Sequence, residues 1–103
     1  MLDIGFSTHK EIIKELGARL KAQRLAQLLT QEELAARAGL STGTVKNIEN
    51  KGQSSIESVV RLGLALGLAD HFQELFSLQV KSIAQMAQIE QSKRIRAPRR
   101  VVK

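Results

Sequence analysis

The chain has 103 residues, 43% of them hydrophobic and 25% charged, which is the length of one domain and an ordinary globular composition. The absence of cysteine excludes disulfides, thiolate metal sites and cysteine nucleophiles and fits a reducing cytoplasm; no apolar run nears the roughly 18 residues of a membrane span, and MLDIGFSTHKE lacks the basic-then-apolar pattern of a secretory leader. The formal charge of +6 is unevenly placed, because residues 1–92 balance ten basic against ten acidic residues while residues 93–103, KRIRAPRRVVK, hold six basic residues and no acid, a pattern that implies a polyanion partner.

Helix-start boxes divide the chain, since a Ser, Thr or Asp followed three residues later by Glu or Gln satisfies two free backbone amides reciprocally. Thr8 with Glu11 predicts a first helix to about Leu28, with Ile12, Ile13, Leu16 and Leu20 on one face. Thr30 with Glu33 predicts a second, containing Leu34, Ala35 and Ala38, which Gly39 ends. Ser41 caps a third, carrying Val45 and Ile48 before a loop of Asn50, Gly52 and Ser54. Ser54 with Glu57 predicts a fourth ending at Gly67, and Asp70 with Gln73 a fifth whose apolar face is Phe72, Leu75 and Phe76. Residues 82–92, SIAQMAQIEQS, predict a sixth, and Ala97 and Pro98 then break the pattern and leave the charged end as a flexible arm. No strand pattern competes.

Residues 31–50, QEELAARAGLSTGTVKNIEN, meet the steric demands of two helices crossing through a very short turn. Ala35 is small where the helices touch, Gly39 tolerates positive φ at the turn, and Leu34, Ala38, Leu40, Val45 and Ile48 point inward. This is the pattern of a helix-turn-helix unit, whose second helix docks in the major groove of duplex DNA.

These residues resemble the Cro/CI and Xre family of phage-type repressors over roughly residues 14–76. The resemblance implies an all-α, lambda-repressor-like domain of five helices, here followed by a helical extension and a basic tail. The expected divisions are residues 1–78, 79–92 and 93–103. In that family a helix-1 Arg pairs with a recognition-helix Glu, and the matching residues are Arg24 and Glu49. The outward residues of the recognition helix are Thr42, Gly43, Lys46 and Asn47. Asn47 can pair with N6 and N7 of adenine, Thr42 can touch a thymine methyl or donate to a base edge, and Lys46 can reach guanine or a phosphate. Gly43 departs from the long polar side chain common in the family, so DNA shape or a partner carries more of the selectivity. Gln31, at the start of the second helix, and the Ser41 and Thr44 hydroxyls are expected on phosphates, as are Asn50, Lys51 and Ser54, whose family counterparts follow the far strand.

A narrower resemblance concerns biological role. The Ser-Ser loop into RLGLALGL, the helical extension and the RIRAPRR ending are similar to HipB-type antitoxins, which repress their own operon and bind a HipA-type serine/threonine kinase toxin. The partners implied are a palindromic operator, a second copy of the chain and such a kinase, in the cytoplasm at the nucleoid. The tail residues Lys93, Arg94, Arg96, Arg99, Arg100 and Lys103 are expected on DNA phosphates or on the partner.

Catalysis is disfavoured. His9 and His71 stand alone in the sequence, no nucleophile has a nearby base, and neither a phosphate loop nor metal-ligand spacing is present, so no metal or cofactor is expected. RNA recognition is disfavoured too, because three Phe with no Tyr or Trp provide no stacking platform. The remaining rivals are an adaptor that uses the same fold to bind protein and a phage-type repressor with no toxin partner.

Overall fold

Hydroxyl side chains open the first four helices of the computed structural model, which describes residues 2–101, with side chains through Arg94. After a single 3-10 turn at Ile4–Phe6, α1 spans His9–Ala26, α2 Gln31–Ala38, α3 Thr42–Lys51, α4 Ile56–Ala65, α5 Ala69–Gln73 and α6 Ile83–Val101. The described residues are all-helical apart from turns and connectors. No helix among them is long and apolar enough to cross a membrane.

The capping boxes of α1 and α2 form as the sequence predicts. The Glu11 N–H donates to Thr8 Oγ1 at 3.2 Å and the Thr8 N–H donates to the Glu11 carboxylate at 2.9 Å. Thr30 and Glu33 repeat the exchange at 3.0 and 2.8 Å. The hydrogen bond accepted from the Thr30 backbone N–H, with the Thr30 hydroxyl second, holds the Glu33 carboxyl below its ordinary value. A depressed folded-state pKa contributes stability above the unfolded value and loses it as pH falls through the folded one. Thr30→Ala removes the cap of α2 and should destabilise the domain by about 1 kcal/mol. Because the backbone N–H of residue 30 remains, the Glu33 titration, followed by NMR, should rise only part of the way to its ordinary value.

Two later helix starts differ from expectation. The cap of α4 is Ser55, whose Oγ accepts from the Ser58 N–H at 3.1 Å, and not Ser54, which lies in the preceding bend. In this register Glu57 is free of capping and reaches Arg61 one turn on at 2.9 Å. Asp70 lies inside the first turn of α5 rather than capping it, because Leu68 supplies the carbonyl that receives the His71 N–H. The helix stops at Gln73, so Leu75 and Phe76 lie beyond it and are exposed, while Phe72 packs its ring over Gly63 of α4.

The chain divides into two compact units, Met1–Gln73 and Glu74–Lys103. In the first, Leu29, Leu34, Ala35, Ala38, Val45, Ile48, Leu62 and Leu66 form the core, with Leu20, Leu40, Ala65 and Leu68 packed against it. On α1 Gly17 and Arg24 are buried and Leu20 packs against the core, while Ile13 and Leu16, expected on the inward face, are 40% and 47% exposed. Gly17 is the point of closest approach, because a methyl there would collide with the Ile48 backbone carbonyl. Gly39, Gly52 and Gly67 close α2, α3 and α4 with φ of 70, 68 and 78°, where L side chains are strained. Leu28 closes α1 in the same conformation, with φ 60° and its side chain 90% exposed.

In the second unit Ser82 caps α6 by accepting from the Gln85 N–H at 3.1 Å, and Leu78 lines a shallow groove with Gln88, Ile89, Ser92 and Lys93. The helix expected to end near Ser92 continues to Val101, through Ala97 and Pro98. Proline inside a helix removes one backbone hydrogen bond, here the one its N–H would give the Arg94 carbonyl, and need not terminate the helix. The side chains of Arg96, Arg99 and Arg100, and residue Lys103, lie outside the described portion.

Candidate nucleic-acid interface

Three residues turn the chain from α2 into α3. Gly39 adopts the left-handed conformation, the Leu40 N–H returns to the Ala35 carbonyl at 2.9 Å, and Ser41 caps α3 by accepting from the Thr44 N–H at 3.0 Å. Leu34, Val45 and Ile48 are fully buried and Ala35 and Ala38 nearly so, which fixes how α3 lies against α2.

A buried ion pair ties the same helix to α1. Arg24 donates to the two Glu49 carboxylate oxygens from Nε at 2.7 Å and Nη2 at 3.0 Å, and its Nη1 donates to the Leu29 carbonyl at 2.8 Å. Gln31, at the first position of α2, adds its side-chain Nε2 to Glu49 Oε1 at 3.1 Å. One carboxylate thus joins three helices, and the guanidinium keeps a proton affinity raised by its hydrogen bonds to Glu49. The sequence pointed to the pair but not to the third member; Gln31 was expected on a phosphate, and its amide faces Glu49.

With the inner face of α3 fixed, its outer face follows from the 100° step of a helix. Gly43, Asn47 and Asn50 share the outermost ridge, all exposed, with Lys46 exposed on one flank and Lys51 on the other. Thr42 is half-buried at the first helical position, and Thr44, also half-buried, shares a 2.8 Å hydrogen bond with the Ser41 hydroxyl. Asn50 and Lys51, expected in the following loop, belong to the last turn of α3, because the helix continues to its left-handed stop at Gly52. Asn50 is therefore one turn beyond Asn47 on the same ridge, a relation its three-residue spacing carries. Ser54 lies outside α3, exposed in the bend after Gly52.

The ridge is polar. Arg24 of α1 and Arg61 of α4 are engaged by carboxylates, and Lys46 and Lys51 are the cations of α3 itself. Such a surface offers hydrogen-bond donors and acceptors on one face of a helix.

Residues 20–70 match the family model described as "Helix-turn-helix", a span from within α1 to the start of α5 that includes α2, the Gly39 turn and α3. No curated protein matches the chain.

Proposed function

We propose, on the premise that residues 20–70 carry a DNA-binding helix-turn-helix domain, that the protein is a sequence-specific transcriptional repressor which binds a palindromic duplex operator as a homodimer. The observation that supports this best is the exposed ridge Gly43, Asn47, Asn50 on a helix held against both α1 and α2. Asn47 reads adenine through both faces of its amide, Thr42 touches a base edge or a thymine methyl, and Lys46 reaches guanine or a phosphate. Gly43 contributes no side chain, so DNA shape sets selectivity there. Gln31, Ser41, Thr44, Asn50, Lys51 and Ser54 frame the groove and hold phosphates, Gln31 through the backbone amides at the start of α2 while its side chain stays on Glu49.

A second copy is required because one recognition helix spans only a few base pairs. The exposed Leu75, Phe76, Leu78 and Val80 supply apolar surface for it. A toxin–antitoxin role with a HipA-type kinase as partner is the narrower form of this reading. It rests on the RLGLALGL and RIRAPRR resemblance, and co-purification of such a kinase with the full chain is its test.

Selection of bound sites from random duplexes should return two half-sites related by a two-fold, about 10 base pairs apart. Asn47→Ala should cost about 1–3 kcal/mol per half-site and relax preference at one base pair of each. An unchanged consensus with the variant would place the reading residue elsewhere. A wild-type chain that forms no duplex complex weakened by salt would leave the adaptor reading in its place.

A further inference from the structure

The matched domain brings little charge to a polyanion. Residues 20–70 contain Lys21, Arg24, Arg37, Lys46, Lys51 and Arg61 against Glu32, Glu33, Glu49, Glu57 and Asp70, a net of +1 from six cations and five anions. The whole +6 of the chain lies in residues 93–103, beyond the matched span and mostly within the C-terminal half of α6. Lys93 and Arg94 are exposed there, and no acidic residue follows Glu90.

The second unit also lacks the means to hold its helix alone. From residue 74 to residue 94 every residue is exposed except Gln85 and Ile89, which are half-buried. A helix without a buried face depends on its own propensity, which is marginal at this length. Arg96 and Arg100 are like charges four residues apart, and Pro98 withdraws a hydrogen bond, so this stretch is further weakened. Anions beside the basic half would remove the repulsion, and releasing condensed counterions from a duplex would offset the cost of ordering.

We infer that α6 is a second nucleic-acid contact, separate from the helix-turn-helix ridge, whose Arg94, Arg96, Arg99 and Arg100 bind the phosphate backbone of duplex DNA without regard to sequence and gain helical order there. The inference rests on the reading of the protein as a duplex-DNA binder and assigns to α6 the charge neutralisation that the reading domain lacks. Both contacts belong to one chain, so that once the recognition helix is seated the basic helix meets its phosphates at a high effective concentration.

The test uses the full chain with Arg94, Arg96, Arg99 and Arg100 all replaced by Gln, against the selected operator and a scrambled duplex, from 50 to 200 mM salt. Loss of four phosphate contacts from each subunit should lower the slope of log affinity against log salt by roughly 3 to 4 per bound subunit, so that the gap between wild type and variant is roughly 100-fold larger per subunit at 50 mM than at 200 mM. Both duplexes should weaken alike and their ratio should stay constant. Amide exchange across residues 83–101 of the wild type should slow when duplex is added. An unchanged salt slope overturns the inference, as does a loss confined to the operator, and a variant that loses only poly-glutamate binding assigns the arm to an acidic protein instead. If the wild type keeps its operator preference in any of these cases, the inference about α6 alone has failed; if the wild type forms no salt-sensitive duplex complex, the DNA-binding reading has failed with it.

Discussion

Arg24→Met should destabilise the folded domain by about 3–5 kcal/mol, the loss expected when one member of a buried ion pair is removed and the other stays charged. The Glu49 side chain is 0% exposed in the fold, so without Arg24 it retains one amide donor, from Gln31, and no counter-charge. The Leu29 carbonyl loses its partner as well. Denaturant unfolding of the two proteins measures the difference directly. Replacing both residues, Arg24→Met with Glu49→Leu, should recover most of the loss, since an apolar pair of similar volume leaves no charge uncompensated. A single-variant cost below about 1 kcal/mol would mean that water reaches the pair and that it behaves as a surface bridge.

Gly17→Ala should reverse the usual sign of a glycine-to-alanine change in a helix. In an open helical position the substitution gains about 0.5–1 kcal/mol, because alanine has less backbone entropy to lose. At Gly17 the added methyl meets the Ile48 carbonyl, a backbone atom with no rotamer to give, so α1 must move off α3. Overpacking of this kind costs about 1–3 kcal/mol, and DNA affinity should fall further than the stability loss alone explains, because α1 sets the position of the recognition helix. Gly43→Ala is the internal control. Its methyl would find only the Ser41 hydroxyl, at 3.9 Å, and the variant should be as stable as the parent or slightly more so. Equal responses from the two glycines in thermal unfolding would show that the close approach at Gly17 relaxes freely.

The features legible in the sequence are those fixed by chemistry within a few residues. The Thr8–Glu11 and Thr30–Glu33 boxes, the Gly39 turn and the inward Leu34, Val45 and Ile48 each follow from local spacing. The features that were not legible depend on groups distant in the chain or on near-equivalent local choices. Gly17 looks like a weak point in a helix until α3 is laid across it, and Gln31 looks free until Glu49 comes within reach. Ser54 and Ser55 offer nearly the same cap, so a single residue of register, which frees Glu57 for Arg61, separates them. Asn50, with Gly52 and Ser54 close behind it, has the local sequence of a loop, although a left-handed glycine stops a helix only at its own position. Pro98 was read as a stop, and α6 carries it in mid-helix.

The shared carboxylate of Glu49 has a consequence for how such a protein can diverge. Arg24, Gln31 and Glu49 lie on three helices yet depend on one another through two oxygen atoms, so a change at any one is tolerated only beside changes at the others. Lineages should therefore inherit the three as a block. Asn47 and Asn50 carry no such obligation, since their exposed side chains are engaged by no neighbour among the described residues. Substitutions along that ridge can accumulate one at a time and redirect a descendant to a new target without passing through an unfolded ancestor.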